Sequence, residues 1–154
     1  MTMEAWSQDE KPNLTWSHPW ASSPSFLIAW YLFGIRPLEP GFALVGIRPQ
    51  VGDLKFGKFT MPTVKGPVSV SFKNEETFFD LRVVLPVSST GRVSLPLPAR
   101  TLESMAASQS GAVTFLLDGK TTYADKQDVE RGYLTVTVDS GSHHIVADDS
   151  LIGA

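Results

Sequence analysis

From residue 35 onward, apolar and polar positions alternate along much of the chain with a period of two. Val68, Val70 and Phe72 alternate with Ser69 and Ser71. Phe79, Leu81, Val83 and Leu85 alternate around Asp80 and Arg82. Val93, Leu95 and Leu97 share a parity, as do Leu134, Val136 and Val138. Side chains on a strand point to opposite faces in turn, so this pattern predicts strands with one face in a core and one in water. Strands are expected at 42–47, 67–72, 77–85, 92–97, 112–117, 133–138 and 143–147. A weaker one is expected at 54–60, with Leu54, Phe56 and Lys58 on one face. Proline, glycine and polar clusters separate them. Residues 102–108 read as a short helical turn, the polar stretch 121–131 as a long loop, and the chain from Asp148 as a fraying tail. About eight short strands at this spacing suit a mainly β fold, an antiparallel β-sandwich.

The first third of the chain has a different texture. Residues 26–33 read FLIAWYLF, without a polar position. Ser23 has the character of an N-cap, Pro24 of a first helical residue and Gly34 of a stop, which predicts a helix over 24–33. A helix apolar on every face needs burial on every side. No second strong helix is evident to surround it, so it is expected to be a piece of a larger helical assembly. The plainer alternative is a helix packed on the β domain with one face in an oligomer interface. Residues 1–22 read as irregular and partly helical, with Met3, Trp6 and Met1 packing on one side and a polar loop at 7–13. Residues 35–41 read as a proline-rich hinge.

Composition narrows the function classes. The net charge of −3 comes without a basic block, which argues against a nucleic-acid partner. The absence of cysteine excludes disulfides and thiolate metal sites. The longest apolar run falls well short of the roughly 20 residues that cross a bilayer. The N-terminus, with Glu4, Asp9 and Glu10, does not read as a signal peptide. The expectation is a soluble chain of undetermined compartment, with no membrane partner and no cofactor.

The candidate chemistry lies before residue 21. All four tryptophans fall in the first 30 residues: Trp6, Trp16, Trp20 and Trp30. Glu4 lies beside Trp6, and His18 lies between Trp16 and Trp20. Indole faces stack on pyranose rings, and carboxylates accept hydroxyl protons or activate water. Aromatic clusters are more often core than site, so composition alone favours core packing for these rings.

Three runs, T-M-E-A-W at 2–6, N-L-T-W-S-H-P-W at 13–20 and G-I-R-P-L-E-P-G-F at 34–42, resemble the end of the catalytic barrel and the start of the C-terminal domain of bacterial α-L-rhamnosidases, glycoside hydrolase family 78. The G-P-V-S-V-S-F run at 66–72 is similar to the strand pattern of that domain. The resemblance implies that residues 1–37 are the last segment of an (α/α) barrel and residues 38–154 a C-terminal β-sandwich of jelly-roll type. It implies inverting hydrolysis of terminal α-L-rhamnose from glycosides by a longer parent. Glu4 would be the general base, and His18, Trp20, Trp16 and Trp6 would line the sugar pocket. The general acid would come from far upstream, since Asp9, Glu10 and Glu39 match no motif for it. Alone, the chain is then expected to be inactive, and an upstream barrel fragment or a second copy is the implied protein partner. The rival reading is a stand-alone, non-catalytic carbohydrate-binding or structural sandwich. His143 and His144, near Asp148 and Asp149, suggest a metal site only superficially. Neighbours on a strand point to opposite faces, and surface residues of an edge strand are the simpler reading.

Overall fold

The computed structural model describes residues 3–107, 113–124 and 129–151, with backbone alone at 104–107 and 130. Two β-sheets face one another. The first contains β1 (Ile35–Pro37), β2 (Leu44–Ile47), β6 (Thr90–Pro96), β9 (Val129–Glu130) and β10 (Tyr133–Val138), in the order β1-β2-β6-β10-β9. The second contains β3 (Phe56–Met61), β4 (Val68–Asn74), β5 (Phe78–Leu85), β7 (Val113–Leu117), β8 (Lys120–Ala124) and β11 (Gly141–Asp148), in the order β3-β4-β5-β11-β7-β8. The pairings are antiparallel except β2 with β6, which run parallel, Val45 opposite Gly91 and Ile47 opposite Val93. Parallel neighbours need a long crossover. Here the crossover is β3, β4 and β5, which build half of the opposite sheet before the chain returns.

The core lies between the sheets and uses the inward parity of each strand. Val68, Val70, Leu81, Val83, Val93, Leu95, Leu134 and Ile145 are fully buried. Each such side chain contributes about 1.5–3 kcal/mol of apolar transfer. The mainly β sandwich expected from the alternation is therefore present, and β4, β5, β6 and β10 turn inward the faces that the pattern assigned.

A helical turn leads into the sandwich. Residues Pro19–Ser22 form a 3₁₀ turn, followed by α1 (Ser23–Leu27) and a π-helical turn over Ile28–Leu32. Ser22 rather than Ser23 holds the N-cap position of α1, without a side-chain cap bond. Gly34, at φ +67°, ends the turn, and a Cβ there would lie 2.0 Å from the carbonyl oxygen of Arg48. Phe33 then inserts into the sandwich. Its ring lies 5.2 Å from that of Phe59 and 5.6 Å from that of Phe72, which stacks on Phe79 at 5.9 Å. Gly57 makes room for this cluster, since a Cβ there would meet Phe72 at 2.7 Å and Phe33 at 3.1 Å.

Several local expectations are corrected. Residues 35–37, read as hinge, pair with β2 in the sheet. In β3 the inward residues are Gly57, Phe59 and Met61, while Phe56 is 78% exposed. The stretch read as a loop at 121–131 contains most of β8 and all of β9; its residues 125–128 lie outside the described ones. Strand β11 is longer than expected and runs between β5 and β7, so it is not an edge. The helix near 102–108 is α2 (Ala99–Ala107). The tail does not fray at 148–151: Asp149 is buried, and its Oδ1 accepts bonds from the Thr101 amide at 3.0 Å and hydroxyl at 2.8 Å. That carboxylate caps the first turn of α2 from outside the helix, where it complements the helix dipole. Residues 1, 2, 108, 112 and 152–154, which also fell within these expectations, lie outside the described residues.

Candidate functional site

The segment before α1 folds back on itself around Glu4. The Glu4 amide donates to Thr15 O at 3.1 Å, and the Thr15 amide donates to Glu4 Oε2 at 3.0 Å. A turn between them is closed by the Leu14 amide on Lys11 O at 3.0 Å, with Leu14 buried beneath. The turn brings the Lys11 ammonium onto Glu4 Oε1. His18 Nδ1 lies 4.0 Å from Glu4 Oε2. The structure thus brings Glu4 and His18 together across fourteen positions of sequence.

Electrostatics follow from this geometry. The hydrogen bond from Lys11 and then that from the Thr15 amide hold the Glu4 carboxyl below its ordinary value of 4.5, with partial desolvation opposing and the charges of Lys11 and His18 assisting. Glu4 is therefore an ionised acceptor across neutral pH. No ion pair or hydrogen bond joins a second carboxylate to it among the described residues. His18 Nε2 is buried without a hydrogen-bond partner. An orphaned ring nitrogen is costly unless a partner arrives.

The tryptophans are not core. Trp20 meets His18 edge-on, with centroids 5.0 Å apart at 80°. Trp6 and Trp20 are 94% and 87% exposed, and Trp16 is exposed as well. Trp20 thus joins Glu4 and His18, whereas Trp6 and Trp16 make no ring contact with them among the described residues. The following helical turn leaves Phe26, Leu27, Ile28, Trp30 and Tyr31 exposed, with Ala29 and Phe33 buried. Burial on all sides, expected of an all-apolar helix, is not reached within these residues.

The histidine pair belongs to the sandwich. His143 Nδ1 lies 3.0 Å from Asp118 Oδ2, and its Nε2 lies 3.0 Å from Asp139 O. His144 Nε2 lies 2.9 Å from Asp80 Oδ2. The His144 amide and then the His143 ring hold the Asp118 carboxyl below its ordinary value of 3.8. The two rings engage different carboxylates, and no group of three or more metal-ligating side chains forms among the described residues.

One feature escaped the sequence reading. A cleft of about 810 Å³ opens on the outer face of the first sheet, away from Glu4. Arg36, Arg48, Arg92 and Arg131 line it with Ser94 and Thr135, and no carboxylate does among its described lining residues. These arginines are scattered in sequence. Arg36 and Arg92 lie on β1 and β6, and Arg48 and Arg131 just beyond β2 and β9, so only the sheet order brings them together.

The bacterial α-L-rhamnosidase C-terminal domain family matches residues 34–109. The match begins at Gly34, where the helical turn ends, and runs through the exchange between the two sheets. The α-L-rhamnosidase of Dictyoglumus thermophilum is similar over 83% of this chain, at 27% identity and a TM-score of 0.64. A Streptomyces avermitilis α-L-rhamnosidase, solved with L-rhamnose, is similar over 84% at 23% identity and a TM-score of 0.62. The Aspergillus terreus α-L-rhamnosidase covers 96% at 20% identity and a TM-score of 0.65. The latter two show a likeness of fold alone. The chain spans only 13%, 11% and 14% of these three enzymes. No curated protein sequence matches it significantly.

Proposed function

We propose that this chain is the C-terminal part of an α-L-rhamnosidase-like glycoside hydrolase, acting with a catalytic barrel on rhamnose-containing glycosides. The observation that carries the reading is the meeting of Glu4 and His18 ahead of a rhamnosidase C-terminal domain. Residues 1–37 would complete the barrel, and the exposed apolar side of the helical turn, Phe26 to Tyr31, would pack on its helices. Glu4 would act as the general base of an inverting reaction, taking a proton from the attacking water. His18 Nε2 would meet a sugar hydroxyl, ending its isolation, and Trp20 would offer a stacking face with Trp16 and Trp6 nearby. Inversion also needs a general acid about 6.5–9.5 Å from the base, to leave room for the water. The barrel would supply that acid.

The depressed basicity of Glu4 has a kinetic consequence. A base must be ionised to act, so the acid limb of the rate profile should fall below pH 4.5, the ordinary value for this carboxyl. The test is release of p-nitrophenol from p-nitrophenyl α-L-rhamnoside. The chain alone should release none. Grafted in place of the matching segment of the Dictyoglumus enzyme, it should support turnover. Turnover by the chain alone would overturn the reading.

A further inference from the structure

The cleft on the outer face of the first sheet is built for repeated negative charge. Arg36 of β1 lies opposite Gly46 of β2, Gly46 opposite Arg92 of β6, and Arg92 opposite Thr137 of β10. Two arginines thus share one row, two strand spacings or about 10 Å apart at the backbone. Gly46 between them carries no side chain, and Leu38 lies over it, within 3.0 Å of where a Cβ would be. The next row pairs Ser94 with Thr135, their hydroxyls 2.8 Å apart.

Arg36 and Arg48 are fixed in place. Arg36 Nε donates to Trp30 O at 2.9 Å, and its guanidinium lies 4.4 Å from the Tyr31 ring centre. Arg48 lies 4.3 Å from the Tyr133 ring centre, and Tyr133 Oη donates to Pro49 O at 3.1 Å. Stacked guanidiniums keep their edges free for carboxylates and lose little freedom on binding. Arg92 has no ion-pair partner among the described residues and projects outward. Because Arg36 is pinned on the aromatic side, it does not swing toward Arg92 to share a single small anion.

The geometry points to this cleft as a binding site for a carboxylated oligosaccharide. Its cations would take carboxylates on separate sugar units, Leu38 would meet an apolar ring face, and Ser94, Thr135 and Thr137 would meet hydroxyls. The cleft volume lies within the range of about 300–1,000 Å³ of ordinary ligand sites. The sugar half of this assignment rests on the glycosidase reading above; the anionic half rests on the arginines alone.

Isothermal titration of the 154-residue chain with α-1,4-trigalacturonate tests it. The expected result is binding that weakens with added salt, falls at least tenfold in Arg92→Gln and in Arg48→Gln, and is unchanged in Glu4→Gln. Arg92→Gln leaves no partner behind, so its thermal unfolding should match the parent chain. Equal binding of the carboxyl-reduced trisaccharide, displacement by equimolar inorganic phosphate, tighter binding of a single-stranded oligonucleotide, or no binding at all would each overturn the inference. Failure here with an active graft would sink this site alone. Binding here with an inactive graft would sink the catalytic reading alone.

Discussion

At the scale of single residues, two positions carry constraints that substitution exposes. Gly34 combines a left-handed φ with a backbone approach that excludes a Cβ. Gly34→Ala must move the Arg48 carbonyl or rotate the chain entering β1, and should lose about 2–4 kcal/mol, read as a fall in the urea midpoint. Asp118 joins β11 to the turn after β7 through the His144 amide and the His143 ring. Its carboxyl titrates below 3.8, so its contribution is fully present above the unfolded value and is lost as pH falls through the folded one. The stability gap between the parent and Asp118→Asn should therefore shrink below about pH 3.8, measured by denaturant unfolding across pH 2.5–6. A gap that stays constant would mean that the contact is not linked to ionisation. Glu4, His18 and their neighbouring tryptophans were legible as candidates because a rare residue combination recurs in a short span. The contact of Lys11 with Glu4 was not, because it depends on a turn geometry that a polar loop does not announce.

At the scale of elements, the strands that sequence alternation identified run through the sheet interiors, as β4, β5, β6 and β10 do. Those misread as hinge or loop, or given the wrong face, are β1, β3, β8 and β9, the four edges. An edge strand has one neighbour, and its composition yields to other demands. Pro37 is tolerated in β1 because an edge amide needs no partner. Strand β8 is polar, with Lys120 at its start, which blunts pairing with other chains. In β3 the first inward position is a glycine, since Phe33 and Phe72 already fill the space, so Phe56 misleads the alternation. The corrected face has a direct test. Phe59→Ala should cost about 3 kcal/mol, at the low end for a large aromatic since Phe59 is half-buried, while Phe56→Ala should stay within about 0.5 kcal/mol. Thermal melts of the two variants decide between the faces; equal losses would contradict the observed register.

At the scale of the whole molecule, a closed sandwich core coexists with an unclosed N-terminal surface. The sandwich buries most of its apolar parity, and Phe33 ties the helical turn into it. The exposed tryptophans, the orphaned His18 nitrogen and the apolar side of the turn all belong to the 33 residues before Gly34. The family match begins at that same boundary and covers the sandwich only as far as residue 109. The measurement that bears most directly on this account is hydrolysis of p-nitrophenyl α-L-rhamnoside by the grafted Dictyoglumus enzyme, with and without Glu4→Gln in the graft. The account predicts turnover by the graft and a loss of about 10²-fold or more in kcat on that substitution, with folding unchanged. A folded graft that keeps its full rate as Glu4→Gln would contradict it.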